Sequence, residues 1–325
     1  MDYLRIYITI LSGLIAFIVS FIVTDSIIPI LKKQNIVNHD LNKKDKPLIP
    51  EMGGLGVIFA FFLGINFSLF LTSTADFQFL ALVLFTIMGV AFVGIMDDLL
   101  DLHQLAKSVL PFILGVPLGI GLPDKTLTLP FFGVTDLGLW MVLLVPLGIT
   151  AVTNLTNMLE GFNGLGVGLG IIISSTLIII SLITEQTDGL YLLIPLLGAL
   201  CAFFYFNKYP SKIFPGDTLT FFQGATIGCA AIIGNLKTIA AFLYLPLLIE
   251  FILKARGRFP ARNHGIIQDD NTLAYEGKVY SLSHLIMKNY KVTEKRLVAI
   301  LWIMEAIMCA LMILVVFWLG PEYAW

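Results

Sequence analysis

Residues 78–101 read QFLALVLFTIMGVAFVGIMDDLLD, an unbroken apolar run that ends on Asp97, Asp98 and Asp101. The run is long enough to cross a hydrocarbon core as a helix. One such segment fits inside a soluble protein, but here the pattern recurs. Further apolar runs lie at about 6–30, 53–72, 105–121, 138–155, 163–184, 189–206, 218–234, 237–254 and 297–319. With 78–96 they give about ten candidate spans. The run at 105–121 is broken by Pro111 and Pro117, which membrane helices tolerate.

Composition agrees. Of 325 residues, 58% are hydrophobic and 13% charged, where soluble domains carry roughly 45–50% and about 25%. The surplus apolar surface has no place in one water-soluble core. The expected fold is all-α: a polytopic integral membrane protein with a single transmembrane domain over residues 1–325. Net charge is −2 and offers no basic field for nucleic acid. Cys201, Cys229 and Cys309 sit within apolar runs and read as small hydrophobes, not as metal ligands or a disulfide framework. The first run, Tyr7 to Val23, lacks a small-residue cleavage site and reads as a retained helix.

Loop charge orients the spans. With ten spans, alternate loops and helix ends hold seventeen of the twenty lysines and arginines, leaving Arg5, Lys125 and Lys237 opposite. The positive-inside rule makes the rich side cytoplasmic and places both termini outside. Every polar cluster falls on that same side, so the expected active site faces the cytoplasm.

Asp97, Asp98 and Asp101, followed by His103 and Lys107, would line one region if the helix continues, since residues three and four apart are neighbours. Carboxylates this close need a cation or a proton between them. Asn154, Asn157 and Glu160 recur every three residues at a helix end, before Gly161, Asn163 and Gly164. Amide and carboxylate oxygens suit hard cations and the polar edges of a nucleotide or sugar. Asn154-Leu155-Thr156 also matches a glycosylation sequon, but its cytoplasmic placement argues against use.

Phe214-Pro215-Gly216-Asp217-Thr218 precedes another span, and Asp217 stands where a helix N-cap belongs; it serves equally as a metal ligand. The loop from Lys254 to Arg296 holds Arg256, Arg258, Arg262, Asn263 and His264. Arginine forks fit phosphate, although a basic loop also suits anionic lipid headgroups. His39-Asp40-Leu41-Asn42-Lys43 and Ile49-Pro50-Glu51-Met52-Gly53-Gly54 complete the set. Glu250 and Glu305 have no motif around them and read as structural.

In order and on one side, these strings resemble the polyprenyl-phosphate N-acetylhexosamine-1-phosphate transferase family. The closest likeness is to its UDP-GlcNAc–dolichyl-phosphate branch in eukaryotes and archaea. The resemblance spans residues 40–264. It implies Asn157 and Asp217 as ligands of a catalytic magnesium, with manganese as a substitute. It implies Lys107 as the contact to the lipid phosphate, with Asn154 on the segment bordering that acceptor. His39, Asp40, Leu41, Glu51, Asn163, Arg262, Asn263 and His264 would contact the nucleotide sugar, and Asp101 is a further candidate for substrate binding. Asp97 and Asp98 would act with Lys107 in catalysis, as base, nucleophile or electrostatic support; direct displacement is favoured because a phosphate monoester is already largely ionised near neutral pH.

The implied reaction carries a HexNAc-1-phosphate from a UDP-sugar such as UDP-GlcNAc to dolichyl or another polyprenyl phosphate. UMP leaves, as in the first membrane step of glycan assembly, including N-glycosylation. A homodimer among membrane lipids is the expected setting, in a plasma membrane if prokaryotic or endoplasmic reticulum if eukaryotic. Three departures stand out: the late motif reads Arg262-Asn263-His264, Glu160 is a carboxylate where relatives differ, and residues 265–293 replace the long late insertion of the eukaryotic branch, which favours an archaeal-type protein. A bacterial-type undecaprenyl-phosphate transferase is the rival within the class. A lipid-linked sugar flippase is the rival outside it, and would place its polar groups nearer the bilayer midplane.

Overall fold

The computed structural model describes residues 3–71, 77–129, 133–257 and 263–319. Each of the ten expected runs is helical. In chain order α1 (Tyr3–Lys33) leads through a hairpin of β1 (Val37–His39) and β2 (Leu48–Pro50) into α2 (Gly54–Leu71). Then come α3 (Phe77–Leu100), α4 (Gln104–Gly121), the hairpin of β3 (Thr126–Leu129) and β4 (Gly133–Asp136), α5 (Met141–Met158), α6 (Leu165–Ile183) and α7 (Leu190–Asn207). The chain continues through α8 (Gly216–Ile233), α9 (Lys237–Leu243), α10 (Leu245–Arg256), strands β5 (Ile266–Ile267) and β6 (Leu273–Ala274), α11 (Leu282–Asn289) and α12 (Glu294–Leu319).

Eight of these helices are long and apolar enough to cross a membrane. Residues 237–254, expected as one span, form a pair bent by 57° between α9 and α10. Pro246 lies in the first turn of α10, and its ring and missing N–H end the preceding helical ladder. By contrast α4 stays continuous through Pro111 and Pro117.

The tenth run, α8, falls short of that apolarity because it carries Asp217, Thr218, Thr220, Gln223 and Thr226. It is instead the best-hidden helix, with every residue from Thr218 to Ile232 buried. Helices α2, α3, α5 and α7 pack around it. Its polar groups are answered inside: Gln223 Nε2 donates to the Gly166 carbonyl and the Thr226 hydroxyl to Phe222. Lipid-like exposure falls on the outer helices, where large apolar side chains of α1, α4 and α12 face out.

The loop between α10 and α12, expected as an irregular basic segment, carries structure of its own. Glu250 accepts the Leu282 N–H at 2.7 Å and the Ser281 hydroxyl at 3.0 Å, fastening the start of α11. Lys254 bonds the Met158 carbonyl at the end of α5. Glu250 is therefore structural, as its surroundings in the sequence indicate. The C-terminal ends of α3 and α5 and the N-terminal ends of α4, α6 and α8 meet at one end of the bundle, where the polar residues gather.

Candidate active site

The first N–H groups of α8 have no acceptor within the helix. Asp98, in the last turn of α3, supplies one. Its Oδ1 accepts the Asp217 N–H at 2.7 Å, and its Oδ2 accepts the Thr218 N–H at 2.9 Å and the Thr218 hydroxyl at 2.6 Å. The carboxylate also meets the positive end of the helix dipole. Gly216 permits this contact: its φ is +70°, and a Cβ there would run into the Asp98 carboxylate. So Asp217 is not the cap. Capped by Asp98, it is left free to point across the site.

It points at Lys107 and Asn157. The Lys107 ammonium lies 2.5 Å from Asp97 Oδ2 and 3.4 Å from Asp217 Oδ2. The second oxygen of Asp97 accepts the Leu102 N–H at 2.8 Å. Asn157 Nδ2 donates to Asp217 Oδ2 at 3.1 Å, and its Oδ1 accepts the Thr220 hydroxyl at 3.1 Å. Two carboxylates thus share one ammonium with Asp98 close by, and mutual repulsion favours any further cation. Asn157 and Asp217 offer hard oxygen ligands. No group of three His, Cys, Asp or Glu forms a metal cage among the described residues. An ion held here would complete its shell with ligand oxygens and water, which is how magnesium is usually bound.

The expectation that Asp101 joins this set is not met. The helix ends at Leu100, and Asp101 takes a left-handed φ of 50° and is exposed. Helical spacing fails where the helix stops.

Beside the carboxylates opens a polar cleft. Its lining includes His39, Asp40, Leu41, Glu51, Asn163 and His264 from the expected set, together with Asp217. The β1–β2 hairpin brings in the first four and the α5–α6 loop brings Asn163. His39 Nδ1 lies 2.9 Å from the Lys46 carbonyl, which orients the ring. Burial, and secondarily the charge of Asp98, raise the Glu51 carboxyl above its usual range, while the Asn38 amide pulls it back. Burial pushes Glu160 up to about 7, against the pull of the Gly161 and Gly166 N–H groups.

Two of the expected residues also hold backbone in place. Asn263 Nδ2 donates to the Met158 and Glu160 carbonyls at 3.0 and 2.7 Å, tying down the end of α5. Asn154 Nδ2 donates to the Lys107 carbonyl at 3.2 Å and the Thr150 carbonyl at 2.9 Å, so it braces the lysine's backbone. Arg262 lies outside the described residues. Residues that the sequence reading missed include Asn38, whose amide meets the Glu51 carboxylate, and Glu294. Glu294 stands among lysines at a helix start, where nothing local separates it from a solvated charge.

An apolar groove opens beside Asn154, whose amide bonds the Lys107 carbonyl. A cavity of about 320 Å³ is lined by Asn154, Thr150, Ala151, Leu155 and Leu248. A second, of about 370 Å³, shares Ala151, Leu155 and Leu248 and continues to Lys237. Together they run along α5, opposite the bend between α9 and α10. Lys107 links the two spaces through its partners: its ammonium pairs with Asp217 of the polar cleft and its carbonyl accepts Asn154 of the apolar groove.

Comparison with known proteins agrees with this arrangement. Residues 80–235 match the model of glycosyl transferase family 4. The chain is 39% identical over 317 residues to a Saccharolobus solfataricus protein provisionally named a UDP-N-acetylglucosamine–dolichyl-phosphate N-acetylglucosaminephosphotransferase; the match covers 96% of this chain and 98% of that one. A Sulfolobus acidocaldarius protein with the same provisional name is 35% identical over 93% and 94% of the two chains. The phospho-N-acetylmuramoyl-pentapeptide-transferase of Borreliella burgdorferi is 31% identical over 74% and 78%. Matched almost end to end by such relatives, this chain belongs to glycosyl transferase family 4, the polyprenyl-phosphate N-acetylhexosamine-1-phosphate transferases that its motifs resemble.

Proposed function

We propose that this protein transfers N-acetylglucosamine-1-phosphate from UDP-GlcNAc to dolichyl phosphate or a related polyprenyl phosphate, releasing UMP. The observation that carries this reading is the junction at Lys107. Its ammonium pairs with Asp217, which lines a cleft of polar groups suited to a nucleotide sugar, and its carbonyl holds Asn154, which lines an apolar groove suited to an isoprenoid. The provisional names of the two archaeal relatives carry both substrates.

In the reaction, an oxygen of the lipid phosphate attacks the β-phosphorus of the donor. The bond from that phosphorus to the bridging oxygen breaks, and UMP takes the electron pair. Phosphoryl transfer depends mainly on positioning and charge stabilisation. Lys107 holds the acceptor phosphate, and Asp97 holds Lys107. Asp98 fixes the start of α8 and so sets Asp217. Both oxygens of Asp97 and of Asp98 are already engaged, which favours direct displacement over attack by an aspartate. A magnesium ion held by Asn157 and Asp217 would stabilise the negative charge that develops on the leaving UMP.

We place the site on the cytoplasmic side, because the loops at this end of the bundle hold most of the basic residues. The test is purified protein supplied with UDP-GlcNAc and dolichyl phosphate, with nucleotide release followed by chromatography. UMP release that needs magnesium and is lost in Asp217→Ala is expected. UMP release that persists in both EDTA and Asp217→Ala contradicts the assignment of the metal site.

A further inference from the structure

Glu294, the first residue of α12, is 4% exposed, although it lies far in sequence from the residues that bury it. Its Oε1 accepts the Asn163 N–H at 2.8 Å and the Asn163 Nδ2 at 2.6 Å. Its Oε2 meets the Lys43 ammonium. Lys43 Nζ also lies 3.2 Å from Asp40 Oδ2, and that same oxygen accepts Asn163 Nδ2 at 3.0 Å. Asn163 Oδ1 in turn accepts the Ser211 N–H at 2.6 Å. The result is a closed ring that ties α12, the segment after β1, the α5–α6 loop and the α7–α8 loop together.

The chemistry of this ring is costly for a merely structural device. Two carboxylates, Asp40 at 3% and Glu294 at 4% exposure, share a single ammonium. Buried ion clusters seldom improve on apolar packing for stability. Nor does the ring sit in a core. Asp40 and Asn163 face the polar cleft, while Lys43 and Glu294 line a second cavity of about 340 Å³. It is a wall between two polar spaces, and both ends of the Asn163 amide are used in holding it. The donors and acceptors around that amide fix which end is oxygen and which nitrogen.

We propose that Glu294, acting with Lys43, is a positioning residue for the donor: it holds Asn163 and Asp40 in the shape that binds the nucleotide sugar. This rests on reading the polar cleft as the UDP-GlcNAc site. Removing Glu294 leaves the Asn163 backbone N–H without its acceptor and Asp40 alone to hold the Asn163 amide and Lys43, so the α5–α6 loop relaxes while the groove along α5 does not.

The experiment compares wild type, Glu294→Ala, Glu294→Gln and Lys43→Ala. It uses calorimetric UDP-GlcNAc binding, separate KM values for UDP-GlcNAc and dolichyl phosphate, and thermal melts in detergent. Glu294→Ala should weaken UDP-GlcNAc binding about tenfold or more, the worth of hydrogen bonds to a charged group. The KM for dolichyl phosphate should stay within about twofold. Glu294→Gln keeps an oxygen toward Asn163 and should recover part of the loss, and Lys43→Ala should shift the donor terms alone. Donor affinity unchanged in Glu294→Ala, or both KM values rising together, overturns the proposal. If Glu294→Ala does not fold, unchanged donor affinity in both Glu294→Gln and Lys43→Ala overturns it. Wild-type protein that binds no UDP-GlcNAc contradicts the proposed function itself, whereas equal binding by wild type and Glu294→Ala contradicts the positioning role only.

Discussion

At Lys107 one ammonium faces Asp97 and Asp217 across 2.5 and 3.4 Å, and the lysine is partly buried. On the proposed reading, this charge receives the acceptor phosphate. Lys107→Met should lower kcat/KM for dolichyl phosphate about a hundredfold or more, as for loss of a preorganised charge in a shielded site. The binding of UDP-GlcNAc should change far less; a loss confined to the donor would place Lys107 in the wrong half of the site. Glu160 supplies a pH test. Burial raises its carboxyl from 4.5 to about 7 in the folded protein. The folded state then keeps a proton that the unfolded chain releases, so this contribution is full below pH 4.5 and is lost as pH rises through about 7. The wild-type melting temperature should fall across that window more than that of Glu160→Gln; parallel curves would show that Glu160 is not held protonated. The sequence marks Asp97 and Asp98 as a pair but cannot divide their labour. The partners of Asp98 are the N–H groups of Asp217 and Thr218, 119 and 120 positions away.

Among the elements, α8 and the bent pair α9–α10 set the site. Buried all round, α8 can carry Asp217, Thr220 and Gln223 because neighbouring helices answer each polar group. The apolar run at 218–234 was legible as a helix, whereas its central position was not, since only its partners reveal it. The bend was hidden for a similar reason: hydropathy is blind to the angle between α9 and α10, and Pro246 marks it only in hindsight. That bend borders the groove, and Ala151 lines both of its cavities. Ala151→Trp should fill the groove and raise the KM for dolichyl phosphate about tenfold, with calorimetric UDP-GlcNAc binding unaltered. An unaltered acceptor KM would mean that the isoprenoid takes another path.

For the whole molecule, the membrane class and the gathering of polar strings at one end followed from apolar runs and loop charge. Asp101 was misplaced because a helical period was carried past Leu100, where the chain turns left-handed. Glu294 was missed because its contacts with Asn163 cross 131 positions. What the assembled bundle adds is a junction through Lys107, which pairs with Asp217 of the polar cleft and whose carbonyl holds Asn154 of the apolar groove. The central claim is that a sugar and its phosphate cross that junction together. Donor UDP-GlcNAc carrying tritium in the sugar and phosphorus-32 in the β-phosphate tests this directly with the purified protein and dolichyl phosphate. Both labels should enter the lipid product in the ratio of the donor, with unlabelled UMP released. Tritium alone in the lipid, with the phosphorus label left in UDP, would contradict the account.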